Sequence, residues 1–266
     1  MSNVIYYFSG TGSNLATAIE LSRYIPDTEI HPVTDLLTNK EIPSQYGLIG
    51  FTAPAYDGHL PPVFYSCLKD LKFLDHQEVF LVIGCMGIQG HTANDFKQLM
   101  GACGKSVDHS YTIAYPDNVV LVRGAFPRWY QNITVKHAKK KAKKIAGHLI
   151  KGKTSKKTGI VNVKTYLPKD IIQENNSKYN AKGLEYYVNQ DCTKCESCIK
   201  ICPVNNISID NGQIAFGAKC QQCQACIQWC PQRSINYQGV TEKRSRYHYP
   251  EITLKDMIEY NQDHRI

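Results

Sequence analysis

No stretch of this 266-residue chain approaches the roughly 18 consecutive apolar residues that a membrane-spanning helix requires. The opening Met1-Ser2-Asn3 and the strand-like run after it carry neither a basic n-region nor a small-residue cleavage site. The expectation is a cytoplasmic protein whose thiols stay reduced, which argues against a disulfide framework. Acidic residues are missing from 136–157, where ten lysines (136, 139, 140, 141, 143, 144, 151, 153, 156 and 157) account for the formal net charge of +8. Outside that segment the chain is near neutral. Ala138, Ala142, Ile145, Ala146 and Leu149 recur there at helical spacing, so the lysines read as the solvated face of a helix. No aromatic stacking platform accompanies them, so nucleic acid is not expected as a partner.

Cysteine, by contrast, is plentiful. Eight of the eleven fall into two copies of one pattern: Cys192, Cys195, Cys198, Cys202-Pro203, then Cys220, Cys223, Cys226, Cys230-Pro231. Each copy is spaced C-x2-C-x2-C-x3-C-P, and the second lies 28 positions after the first. Ile199/Ile227 and Ile207/Ile235 continue the match, so this is an internal repeat. Three thiolates at three-residue intervals wrap a loop around one face of a [4Fe-4S] cube, and the proline turns the chain away. Structural zinc is the weaker reading, because neither run holds two CxxC pairs separated by a longer stretch. Between the runs, Ile207-Ser208-Ile209 and Gln213-Ile214-Ala215-Phe216 flank Asp210-Asn211-Gly212, a hairpin signal. Residues 186–238 therefore resemble bacterial two-cluster ferredoxins. In those proteins the last cysteine of each run ligates the other cluster. The resemblance implies one cluster on Cys192, Cys195, Cys198 and Cys230, and another on Cys220, Cys223, Cys226 and Cys202.

From Met1 to Lys151 the chain alternates between β-rich runs and helical stretches. Strands are expected at 4–8, 29–33, 47–52, 79–84 and 107–114, and helices at 13–24, 62–71, 91–103 and 128–151, with a weaker one near 35–38. That order suits an α/β, flavodoxin-like, doubly wound five-stranded parallel sheet, followed by a small α+β two-cluster domain. The expected boundaries are 1–151 for the first domain, 152–185 for a linker, 186–238 for the second domain and 239–266 for a tail packed on one or both.

The first strand-to-helix turn is Phe8-Ser9-Gly10-Thr11-Gly12-Ser13-Asn14. Its glycines, hydroxyls and helix N-terminus form a nest for a phosphate. The turn lacks the Gly-Lys-Ser/Thr ending of a P-loop and the third glycine of a dinucleotide fingerprint. A hydroxyl-rich loop of this kind resembles the FMN phosphate loop of flavodoxins. Two later loops suit the isoalloxazine: Pro54-Ala55-Tyr56-Asp57-Gly58, where Tyr56 can stack, and Gly84-Cys85-Met86-Gly87, whose glycines admit backbone close to a planar ligand. Tyr115-Pro116-Asp117-Asn118 is a further candidate contact. His59, His91 and His248 are weaker candidates as proton donors to reduced flavin, and Cys67 and Cys103 read as small buried residues.

The whole arrangement resembles a family of ferredoxin-flavodoxin fusion proteins found in anaerobes. Tyr6-Tyr7-Phe8-Ser9-Gly10-Thr11-Gly12, Pro54-Ala55-Tyr56 and Arg246-Tyr247-His248-Tyr249-Pro250 carry the likeness. The chain departs from it at Ser13-Asn14, where relatives often have Asn-Thr. The resemblance implies electron transfer between FMN and two [4Fe-4S] clusters, and onward to a redox partner protein, an acidic one being suited to the lysine-rich helix. The rival expectations are an FMN-dependent oxidoreductase that reduces a quinone, flavin or nitro compound, and, ranked last, a redox sensor.

Overall fold

The computed structural model describes residues 1–152 and 185–262. The linker expected at 152–185 lies, apart from its two end residues, outside the described residues. Among those described, 1–9, 13–116 and 128–152 form one compact unit, and 10–12, 117–127 and 185–262 form a second. Neither unit is continuous in sequence.

In the first unit five strands, β1 (Ser2–Tyr7), β2 (Thr28–Pro32), β3 (Tyr46–Pro54), β4 (Glu78–Cys85) and β5 (His109–Ala114), pair in the order β2-β1-β3-β4-β5. Every pairing is parallel. Apolar side chains dominate because both faces of such a sheet are covered: Val4, Ile5, Ile49, Phe51 and Val79 to Ile83 are buried. Four helices accompany the strands: α1 (Ser13–Ser22), α2 (Pro62–Leu68), α3 (Thr92–Ala102) and α4 (Arg128–Ile150). Helix α1 packs beside α4, and α2 beside α3 and a 3-10 turn at Val33–Leu37. This is the flavodoxin-like doubly wound order, and it reverses direction between β1 and β3. Crevices outside the carboxyl ends of strands at such a reversal are where ligands bind.

Most element ends lie within one to three residues of the expectation, and two of the shifts have a local cause. Strand β5 starts at His109, because Asp108 turns its carboxylate onto the Val79 amide at 3.0 Å while its own amide donates to the Val79 carbonyl. Helix α2 stops at Leu68, just before Asp70 enters the left-handed region at φ 60°.

The second unit repeats itself in space as it does in sequence. Left-handed backbone occurs at Lys194, Glu196 and Asn205, and again at the matching positions of the second copy, Gln222, Gln224 and Arg233. Short helices α5 (Ser197–Ile201) and α6 (Ala225–Gln228) follow the same offset. Strand β6 (Tyr186–Val188) pairs with β9 (Ile235–Tyr237), and β7 (Ile207–Asp210) with β8 (Gln213–Phe216), both antiparallel. Asn211 (φ 47°) and Gly212 (φ 74°) make the expected two-residue turn of the second hairpin. Residues 239–262 belong to this unit and end in α7 (Leu254–Gln262), which the sequence reading did not foresee. Thr253 caps that helix: its hydroxyl accepts from the Asp256 amide, and the Asp256 carboxylate accepts from the Thr253 amide.

Gly50 lies opposite Phe80 in the β3–β4 pairing, and a Cβ there would meet the Phe80 ring at 2.2 Å. Gly50→Ala should cost about 1–3 kcal/mol through overpacking. Urea denaturation would show this as a lowered midpoint with an unchanged slope.

Candidate functional site

Two cavities in the second unit are each lined by four cysteines. One has Cys192, Cys195, Cys198 and Cys230 in its wall. The other has Cys202, Cys220, Cys223 and Cys226. In both, the fourth cysteine comes from the other copy of the repeat.

Backbone amides reach the sulfurs in matched pairs. The amides of Lys194 and Gln222 donate to Cys192 and Cys220, both at 3.4 Å. Those of Asn206 and Ser234 donate to Cys202 and Cys230, at 3.2 and 3.3 Å. The left-handed residues explain this, since they turn the chain so that its N–H groups face the sulfurs. Burial pushes the Cys198 thiol up to about 11 and those of Cys220, Cys223 and Cys226 upward too. Cys195 differs: hydrogen bonding, foremost with the Ser197 side chain, holds it below its ordinary value.

Among the described residues no three His, Cys, Asp or Glu side chains are close enough to hold a single metal ion. Four soft sulfur donors spread around one cavity, with N–H groups turned to them, fit a larger sulfur-bridged group.

In the first unit, Tyr56 and His59 close a tight turn by donating amide to carbonyl in both directions, at 2.8 and 2.9 Å. Asp57 (φ 51°) and Gly58 (φ 82°) occupy its two central positions. The β3–α2 and β4–α3 loops are clasped together here. The His91 amide donates to the Gly58 carbonyl, and a Cβ on Gly90 would meet the Gly58 Cα at 2.5 Å. His59 is buried, with its Nδ1 at 2.8 Å from the Asp95 carboxylate and its ring stacked on His91. Asp95 carried no signal in the sequence, since a single acidic residue within a helix has many uses.

Pro54, Ala55, Tyr56, Cys85 and Gly87 are half-buried on these two loops or close to it, as is Gly58, while Asp57, Met86 and Ile88 reach further into solvent. Burial pushes the Cys85 thiol up. Ser9, Ser13 and Asn14 are buried at the start of α1, where the Asn14 amide donates to the Ser9 hydroxyl at 3.3 Å. The Asn14 side-chain oxygen has no partner, so it is open to a donor such as a sugar-chain hydroxyl. These groups fit FMN: a helix N-terminus and hydroxyls for the phosphate, an amide oxygen for the ribityl chain, and a glycine-rich edge for the ring.

Tyr115, a further candidate, is instead a core residue, its hydroxyl 2.6 Å from that of Thr17. Cys67 is buried, whereas Cys103 is only half-buried and donates from its thiol to the Leu68 carbonyl. A P-loop spelling does occur at Gly147-His148-Leu149-Ile150-Lys151-Gly152-Lys153-Thr154. Its first four residues close α4, so the strand that must precede a P-loop is missing.

The middle of the phosphate nest belongs to the second unit, where three contacts define it. Trp229 Nε1 donates to the Gly10 carbonyl at 2.9 Å, the Tyr249 amide to the Thr11 carbonyl at 2.9 Å, and Asn118 Nδ2 to the Thr11 hydroxyl at 3.0 Å. A Cβ on Gly10 would fall 1.8 Å from the carbonyl oxygen of Cys223. His248 is not turned to a flavin loop: it stacks on Trp229 at 4.0 Å and 7°, with its Nε2 on the Gln228 carbonyl.

No family model matches the chain, and no curated protein does. Among solved structures it is similar to a rubredoxin oxygen:oxidoreductase from the anaerobe Desulfovibrio gigas, at 13% identity over 56% of this chain and a TM-score of 0.38. The chain spans 36% of that protein's length. A Megasphaera elsdenii flavodoxin matches 42% of this chain and 85% of its own, at 22% identity and 0.30. A flavone reductase matches 85% of this chain and 86% of its own, at 10% identity and 0.34. Likenesses this slight add nothing to the sheet order already described.

Because the Gly10 clash is with backbone, it cannot be relieved by a rotamer change. Gly10→Ala should destabilise the second unit by about 3 kcal/mol or more. Hydrogen exchange should show lost protection at the amides of Tyr249 and Gln222, while β3 and β4 keep theirs.

Proposed function

We propose that this chain is an electron-transfer protein carrying one FMN and two [4Fe-4S] clusters, and that it delivers electrons to a partner redox protein. The observation that carries the reading is the pair of cavities, each walled by four cysteines drawn from both copies of the repeat. When bound, FMN exchanges electrons in twos or ones and each cluster exchanges one, so the set links two-electron to one-electron chemistry.

The protein's part is to bind, orient and shield. Cys192, Cys195, Cys198 and Cys230 hold one cluster, and Cys220, Cys223, Cys226 and Cys202 the other. Ser9, Gly10, Thr11, Gly12, Ser13, Asn14 and Asn118 hold the phosphate and ribityl end of FMN. Pro54, Ala55, Tyr56, Asp57, Gly58, Cys85, Met86 and Gly87 border its ring. The middle of the nest lies against the wall of one of the cysteine-lined cavities, since the Gly10 backbone touches that of Cys223. The partner surface is the exposed row of Lys136, Lys140, Lys143 and Lys144 on a helix without acidic residues, which suits an acidic protein. No described helix is long and apolar enough to cross a membrane.

A second reading, reduction of a small acceptor at the flavin, draws on Met86 and Ile88. Their side chains are 56% and 57% exposed on the loop assigned to the ring, an apolar edge open to a planar molecule. Turnover of a quinone or nitro compound by the cluster-reduced protein alone would favour it. Activity only with a second protein present favours electron carriage.

Anaerobic reconstitution followed by iron, sulfide and flavin analysis tests the assignment. About eight irons and one FMN per chain are expected. Eight irons with no flavin retained at saturating FMN would overturn the proposed link between the two chemistries. Paired substitutions test the crossing of ligands: Cys223→Ala with Cys202→Ala should remove one cluster, and Cys223→Ala with Cys230→Ala both. The reverse outcome would mean that each repeat serves its own cluster.

A further inference from the structure

The two cysteine-walled cavities are alike in their sulfurs and in the amides that reach them, but not in what else surrounds them. Ser234 is fully buried in the wall of the Cys192/Cys195/Cys198/Cys230 cavity, and its hydroxyl has no hydrogen-bond partner. Arg246 donates from Nη2 to the Ile235 carbonyl at 3.3 Å and to Asn236 Oδ1 at 2.8 Å. Its Nε and Nη1 are buried and have no partner. Ile235 is itself in the wall of that cavity. Cys230 in the wall of that cavity and, after it, Cys226 in the wall of the other interact electrostatically with the guanidinium, and Arg233 adds a second positive charge nearby.

A guanidinium with two N–H groups idle inside a protein is costly unless negative charge is supplied to it. The repeat provides the internal comparison. The counterpart of Ser234 in the first copy is Asn206, whose side-chain oxygen accepts from the Lys219 amide at 2.6 Å. Arg246 lies beyond the repeat and has no counterpart. The wall of the second cavity has Asn206, Gln221 and Gln224 beside Ile207, Val204, Tyr186 and Phe216, and no charged residue.

We propose that Ser234 and Arg246 are positioning residues that give the cluster held by Cys192, Cys195, Cys198 and Cys230 the higher reduction potential, so that the first electron goes there. This rests on the reading of the cavities as cluster sites. Reduction adds one electron, supplied in a titration by dithionite, and neither makes nor breaks a bond within the protein. A hydroxyl donor and a fixed cation stabilise the more negative state of the group they face.

The test is an anaerobic redox titration of the reconstituted full chain, followed by electron paramagnetic resonance. The wild type should reduce in two waves. Ser234→Ala and Arg246→Gln should each lower the upper wave, by about a tenfold fall in the reduced-to-oxidised ratio at fixed potential, or ~59 mV for a one-electron couple. Arg246→Lys should recover most of the second loss, because it returns the charge. Ser234→Ala removes only one buried hydroxyl, and its upper wave decides the inference by itself if Arg246→Gln does not fold. Eight irons bound with the upper wave unmoved in the serine variant and in a folded arginine variant overturns the inference. Fewer than eight irons in the wild type instead overturns the cluster reading beneath it.

Discussion

The second unit depends on an exchange between two halves that neither could complete alone. Three cysteines of each run are close neighbours in sequence and can wall a cavity locally, but the fourth position is taken by Cys230 in one cavity and by Cys202 in the other. The offset between the two copies therefore has to be kept in three dimensions as well as along the chain. Left-handed residues recur at that offset, and the sulfur-directed amides recur with them at closely matched distances. Eight thiols converging without metal would form a poor core, since several of them are pushed toward the neutral form by burial and gain little from one another. Sulfur-bridged iron in those spaces would satisfy the thiolates and N–H groups together, and folding would then be coupled to loading.

The same unit also takes in the middle of the nest, 10–12, and the stretch 117–127. Gln228 is a hub for this: its Nε2 donates to the Asn118 carbonyl at 2.7 Å, and its Oε1 accepts from the Tyr247 amide at 2.8 Å. Gln224 does likewise with the Val120 amide at 2.8 Å. Both glutamines stand in the second cysteine run, so the backbone that walls a cavity also orders segments far away along the chain. The tail contributes through Tyr249 on Thr11 and Arg244 on the Val120 carbonyl. Arg246-Tyr247-His248-Tyr249 is thus a structural part of the second unit.

Much of this was legible in the sequence, for a physical reason that differs from part to part. The cysteine runs and the Asn-Gly hairpin were readable because their geometry is local: spacing of three, alternation of two, and a turn that needs positive φ. The sheet was readable because strands buried on both faces write continuous apolar runs. Gly10 was read as room for a phosphate, and packing against Cys223 gives it a second, equally strict reason. That reason was hidden, because no spacing rule links positions 10 and 223. Asp95 beneath His59 was hidden for the same reason, and so was the assignment of 10–12 and 117–127 to the second unit. Helix α7 was missed because it is short and its apolar positions are few.

Charge placement follows from what each unit would have to hold. The first unit's excess lies on α4, where Lys136, Lys140, Lys143 and Lys144 stay solvated while Ala138, Ala142, Ile145 and Leu149 face the core. Solvated lysines are free to meet another molecule and are readily screened by salt. The second unit keeps a cation inside, at Arg246, where desolvation lowers its pKa and Arg233 lowers it further. An interior cation answers to fixed neighbours only, and ionic strength reaches it little. On the proposed reading, the solvated charge would serve a passing partner and the interior one the difference between the two centres.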